Sequence, residues 1–160
     1  MGTNWVPCDA FPSRHDEYTL RNIRLADEQG CNMIRCWGGN VYPSDVLYNY
    51  CDEHGIMIWQ DFSFACGHYP DDERLCALVK EEVKQVAIEK RNHPALVVWA
   101  GDNECDIFVV PYWESHRTDD DPTAMLDPNF NKITRDTILR ELRNHDATRP
   151  YLPSSPYLDP

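Results

Sequence analysis

Short, nearly all-apolar runs recur at residues 33–37, 56–59 and 95–99, and longer stretches with helical apolar spacing separate them. This alternation constrains the fold more than any other feature. Strands joined by helical crossovers have to pair in parallel. Residues 17–29 carry Leu20, Ile23 and Ala26 at helical spacing, and Gly30 stands where such a helix ends. Residues 32–37 read as a strand closed by Gly38-Gly39. Residues 45–54 read as a second helix, with Ser44 as N-cap and Gly55 as its stop. The clearest helix is 73–92. Leu75, Leu78, Val79, Val83, Val86 and Ala87 form its apolar stripe, while Lys80, Glu81, Lys84, Glu89 and Lys90 are expected to face out. Pro94 ends that pattern. Residues 95–99 read as a strand buried on both faces and residues 105–128 as a polar loop. Residues 131–145 form a helix carrying Ile133, Ile138 and Leu142, and 149–152 a last short strand. Residues 4–6 add a strand at the start.

Two α/β folds satisfy this order: an open doubly wound sheet, and part of a (β/α)8 TIM barrel. The chain has 160 residues, which as a prior means one domain. A complete barrel takes about 250 residues, so little more than half of one is expected. A nucleotide-binding open sheet should carry a glycine-rich phosphate loop after its first strand. The seven glycines make neither GxGxxG nor GxxxxGK[ST]. Polar and aromatic residues instead gather after strand ends: Asp9, Arg35, Trp37, Asp61, Asn103 and Glu104. That habit belongs to the barrel. The expected fold is a partial (β/α)8 barrel of about five parallel strands and four helices.

Composition excludes several functions. A formal net charge of −12 argues against nucleic acid and anionic membrane surfaces, which require a basic face. No apolar run reaches the roughly 18 residues of a membrane span. The opening MGTNWVPCDAF lacks the basic stretch and apolar core of a signal peptide, and no compartment is assigned. Seven cysteines without a CxxC pair argue against a zinc ribbon or thioredoxin-type site. Most lie in apolar runs and read as small hydrophobes. Asp119-Asp120-Asp121 lacks the spacing of a calcium loop and reads as solvated loop. No metal or cofactor is implied.

Five blocks in register carry a family resemblance: GTNWVPCDAF, NMIRCWGGNVY, DEHGIMIWQDFSFACGHYP, NHPALVVWAGDNE and RPYLPSSPY. Together they resemble the catalytic barrel of glycoside hydrolase family 2, and its β-mannosidases in particular. The resemblance makes residues 1–160 the N-terminal portion of such a barrel. It implies that Glu104, after Asn103 at the end of the fourth strand, is the general acid/base. That role needs a carboxyl able to donate a proton to the leaving oxygen. It implies that Asn103 bonds the sugar 2-hydroxyl and that Arg35 holds the nucleophilic carboxylate through charge-assisted bonds. Trp37 would line the pocket, and Asp9 and Asp61 would grip sugar hydroxyls. Bland readings stand beside these: Arg35 as a salt-bridged barrel residue, and Asp9 and Asp61 as loop or capping residues. Trp5, Trp59 and Trp99 read as platforms or core, with core favoured for the last two. His68 and Tyr69 are expected at the rim, and His93 as structural. The chain has Asp102 where the family more often has Asn.

A retaining glycosidase needs a second carboxylate about 5–5.5 Å from the first. The family's nucleophile follows a later strand, and no other carboxylate here stands in a matching motif. The expectation is a fragment of a retaining exo-glycosidase that removes terminal β-D-mannose, holding the acid/base but not the nucleophile, and inactive alone. The alternatives are an exo-β-glucosaminidase, a β-galactosidase, or a non-catalytic carbohydrate-binding or assembly module. The expected partner is a β-mannoside oligosaccharide or glycan. Open barrel edges, with Met33, Trp37, Met57 and Trp99 on the inner face, are expected to favour self-association.

Overall fold

The computed structural model describes residues 1–109 and 131–157. Five strands form one sheet: β1 (Gly2–Trp5), β2 (Met33–Cys36), β3 (Met57–Asp61), β4 (Leu96–Ala100) and β5 (Tyr151–Leu152). Every neighbouring pair is parallel, and the strands stand in sequence order from β1 to β5. This order separates the two candidate folds. A doubly wound sheet reverses direction at a switch point, whereas a barrel adds each strand beside the last. The crossovers are α1 (His15–Glu28), α2 (Asp45–His54), α3 (Glu73–Lys90), the short α4 (Cys105–Val109), and a π-helical segment Ile133–Ile138 running into α5 (Leu139–His145).

Local chemistry explains most boundaries. The Asp72 side chain caps α3 by accepting the Leu75 N–H at 3.0 Å. Gly30 and Gly55 end α1 and α2 at φ 77° and 69°, a region that L side chains avoid. Ser44 precedes α2 but does not cap it; its hydroxyl donates to Asp16 across to α1.

One face of the sheet lies under the helices. Ile34, Cys36, Ile58, Gln60, Leu96 and Trp99 are buried there. The other face holds Met33, Arg35, Trp59 and Val98, all half-buried, so β4 is not buried on both faces as expected. Strict alternation in β4 would also put Trp99 on this inner face. Instead the register shifts: Ile58 pairs Leu96, but Trp59 pairs Val98. The extra residue returns Trp99 to the helix side. There it stacks on Phe62 at 5.3 Å and donates its indole N–H to Asp146 at 2.9 Å.

Two expectations for α3 fail. Lys90 faces inward, 6% exposed, because its Nζ reaches Asp45 at the start of α2 (2.8 Å) over the Tyr48 ring. Leu78 is exposed, lying at the edge of the stripe rather than under it. All seven cysteines are free, and burial pushes Cys51 up to about 12, as suits an inert thiol. Asp119-Asp120-Asp121 lies outside the described residues. Among those described, no helix is long and apolar enough to cross a membrane.

The two tryptophans report on the two faces. Trp99→Ala should cost about 3–5 kcal/mol, whereas half-buried Trp59→Ala should cost less than half as much. Urea denaturation of both variants checks the assignment; equal costs, or the reverse order, would refute it.

Candidate active site

The inner face becomes polar at the carboxyl ends of the strands. Arg35 rises from β2 beside Asp61 at the end of β3. Its Nη2 donates to Asp61 Oδ2 at 2.7 Å and to Asn103 Oδ1 at 3.1 Å, and its Nε to Asp61 Oδ1 at 3.4 Å. The guanidinium sits over the Trp59 ring, 5.3 Å from its centre. Asp61 is 1% exposed and also accepts the Trp59 indole N–H (2.7 Å) and the Gly38 backbone N–H (3.0 Å). Burial pushes its carboxyl up, against the opposing pull of Arg35. Asp61 is thus enclosed by donors from its own protein. Trp59, favoured as core, stands on the open face.

Gly38 and Gly39 have separate steric reasons. A Cβ on Gly38 would lie 2.3 Å from the Phe64 carbonyl oxygen, so only glycine brings this amide onto Asp61. A Cβ on Gly39 would lie 2.1 Å from the Trp37 ring. The half-buried Trp37 ring therefore packs directly against Gly39.

Beyond the strand ends, three loops pair. Asn103 N–H donates to Phe64 O at 2.9 Å, Cys66 N–H to Asn103 O at 2.8 Å, and Glu104 N–H to Ser155 O at 3.0 Å. Glu104 is half-buried at φ 62°, and Cys66 exposed at φ 49°. Each left-handed L-residue costs about 1–2 kcal/mol, and such strain clusters at functional sites. The Cys66 thiol donates to Glu104 Oε2 at 3.4 Å, and Asn103 Nδ2 donates to the same sulfur at 3.4 Å. A continuous chain of contacts therefore links Asp61, Arg35, Asn103, Cys66 and Glu104.

Asp102 has no exposed surface. It accepts the Cys105 N–H (3.1 Å), the Ser154 hydroxyl (2.5 Å) and Asn131 Nδ2 (3.3 Å). Burial pushes its carboxyl up to about 6, helped by the charges of Asp106 and Asp61 and opposed by the Ser154 and Cys105 donors. Asp102 was noted in the sequence only as a departure from the family's usual Asn, and Cys66 was not singled out. A polar residue just before Asn-Glu, and a cysteine outside any apolar run, were the available signals.

The remaining candidates lie apart from this chain of contacts. Asp9 accepts the Phe11 N–H at 2.9 Å and pairs with Arg14 at 3.3 Å, so its contacts are local to the β1 loop. Trp5 is buried core. The Tyr69 hydroxyl is fastened to the Ala65 backbone, and His68 is exposed. His93 bonds Asp52 at 2.7 Å near the amino end of β4, as suits a structural residue. A cavity of about 360 Å³ opens between the β1 and β2 loops, lined by Trp5, His15, Asp16, Asn40 and Tyr42 among others; Glu104 does not line it.

A parallel sheet wound in sequence order, with a charged cluster at the carboxyl ends of its strands, is part of a (β/α)8 barrel. Its relatives narrow the class. The chain is 37% identical to the β-mannosidase of Bos taurus over 158 residues, covering 97% of this chain and 18% of that protein. It is 32% identical to β-mannosidase B of Neosartorya fischeri over 162 residues, covering 19% of that protein. The crystal structure of β-D-mannosidase from Dictyoglomus thermophilum superposes with a TM-score of 0.79 at 40% identity, over 98% of this chain and 18% of that one. The chain is homologous to the β-mannosidases of glycoside hydrolase family 2, and spans about 18% of the length of the first of these relatives. A β-glucuronidase of Bacteroides uniformis shares the fold, with a TM-score of 0.73 at 22% identity over 94% of this chain and 17% of that one. No protein-family model matches the chain.

Asp102 gives this site a pH signature. Its carboxyl is raised to about 6 from an unfolded value near 3.9. Its contribution is therefore fully present below about pH 4 and lost as pH rises through about 6. The loss is on the order of 3 kcal/mol. Asp102→Asn removes the titration, so its stability relative to the parent should improve between about pH 4 and 6 and level off above about pH 7. Urea midpoints across that range measure this; parallel curves would contradict it.

Proposed function

We propose that residues 1–160 are the first part of the catalytic barrel of a retaining exo-β-mannosidase, with Glu104 as its general acid/base. The observation that carries this reading is the position of Glu104. It follows β4 on a left-handed turn and is joined through Cys66 and Asn103 to the buried Arg35–Asp61 pair.

In the first step Glu104 gives its proton to the glycosidic oxygen as the bond to the anomeric carbon breaks. The mannosyl group passes to a carboxylate that is not among the candidates identified here. In the second step Glu104 takes a proton from the attacking water, and the oxygen of that water bonds to the anomeric carbon as the bond from that carbon to the carboxylate breaks. Asn103 faces the sugar 2-hydroxyl. Arg35 fixes the Asn103 amide and presents positive charge to the nucleophile. Asp61 acts through Arg35, since its own oxygens are occupied. Trp37, packed against Gly39, lends its ring to the sugar. Asp9 keeps lone pairs beyond those given to Phe11 and Arg14, and these accept a sugar hydroxyl.

In the natural protein carrying this sequence, Glu104→Ala should lower turnover of poor-leaving-group mannosides by about 10²–10⁴-fold. Activated aryl mannosides should lose less in the first step, and azide should partly restore the second. Unchanged turnover of natural β-mannosides would remove Glu104 from the reaction.

A second proposal concerns the isolated 160-residue chain. Among the described residues, β1 and β5 each pair on one side only, and the inner face carries Met57, 40% exposed. Unpaired strand edges recruit other strands. Its charge opposes association but is screened beyond about 8–10 Å at ordinary salt. Sedimentation velocity should therefore detect oligomers; a stable monomer at tens of micromolar would overturn this.

A further inference from the structure

We infer that Cys66 is a positioning residue for Glu104, an assignment that rests on the acid/base reading above. The thiol occupies one carboxyl oxygen, Oε2, and leaves Oε1 to carry the transferable proton. The sulfur is itself oriented, because Asn103 Nδ2 donates to it at 3.4 Å while its S–H donates to Glu104 at 3.4 Å. The Asn103 amide is in turn held by Arg35 Nη2 at 3.1 Å. An ordered series thus runs from a buried ion pair to the reactive carboxyl, and Cys66 is its last link.

The backbone supports the assignment independently. Cys66 and Glu104 both stand at positive φ, 49° and 62°, and the paired segments around Asn103 hold them facing each other. Five of the other six cysteines have no polar contact with a candidate site residue. Cys105 has one, a long 3.9 Å contact to the Asn103 carbonyl oxygen, and its side chain is buried. Cys66 alone is exposed. Its thiol is pushed up by burial first and then by the Glu104 carboxylate, with Asn103 opposing. The S–H therefore stays protonated and able to donate in both half-reactions, whichever form Glu104 takes.

The contact and its consequence are read separately. Iodoacetamide alkylation of Cys66, followed by peptide mass spectrometry, reports thiolate content. Glu104→Gln removes the charge that holds the proton on sulfur, so alkylation at pH 8 should quicken roughly 3–10-fold. An unchanged rate would overturn the contact whatever Glu104 does in turnover. The consequence is read in the natural protein with poor-leaving-group mannosides. Cys66→Ala should lower kcat about tenfold with little change in KM and move the limbs of the pH profile. Cys66→Ser, which keeps a donor, should recover most of it. Urea midpoints of both variants separate unfolding from mispositioning. A Cys66→Ala enzyme with the parent's kcat and pH profile would overturn the proposal while leaving the Glu104 reading intact. Glu104→Ala at full turnover would instead sink that reading.

Discussion

A buried carboxylate must collect donors, and the inner end of this sheet is organised around one that does. Asp61 is nearly inaccessible, and an unpaired charge there would be prohibitive. Its partners are Arg35 on β2, Trp59 on its own strand, and the Gly38 amide just past β2. Satisfying Asp61 therefore fixes the register of β2 against β3. A slip of one residue would send Arg35 to the helix side and strand the carboxylate. Once Arg35 is fixed, the second N–H of its Nη2 holds Asn103, and the loop after β4 follows. The same pair that is a cost in the folding of the sheet is what gives the candidate site its geometry.

Much of this was legible in the sequence, for identifiable reasons. Apolar periodicity located the strands and long helices within a few residues, because burial on the helix side repeats at the spacing of each element. Gly30 and Gly55 marked helix ends because only their φ values demanded glycine. The order of the strands could not be read that way. Periodicity is blind to which strand lies beside which, and only the residues after strand ends pointed to a barrel. Trp99 was misplaced because a single extra residue in β4 inverts alternation beyond it. Lys90 was misplaced because its partner, Asp45, lies on another helix, and a pattern read along one helix cannot see it.

The candidate site was legible by residue type more than by contact. Arg35, Asn103 and Glu104 were found because charged or amide groups ending apolar strands are conspicuous. Asp61 was found for the same reason but expected to face sugar; its enclosure depends on the Gly38 amide and the Trp59 indole, which come from a turn and a side-chain orientation. Cys66 was passed over because a thiol in a loop has no periodic signature. The two glycines after Trp37 were visible as a motif, yet their physical purposes differ: one admits a backbone amide, the other an aromatic ring.

The two ends of the sheet spend their charges differently. At the amino end, Lys90 forms an ion pair with Asp45 and His93 hydrogen-bonds Asp52, which tie α2 to α3 and β4. At the carboxyl end, Asp61, Asp102 and Asp106 are all buried. Arg35 answers Asp61 and Arg135 answers Asp106, which leaves Asp102 with neutral donors. Burial raises the Asp102 carboxyl to about 6, and the like charges of Asp106 and Asp61 add to the rise. Three buried carboxyls are thus crowded at the end of the sheet from which Glu104 follows β4. A sheet built for stability alone would not gather them there. In a barrel, features at the amino end serve the fold and features at the carboxyl end serve chemistry, and the distribution of charge across this sheet follows that division.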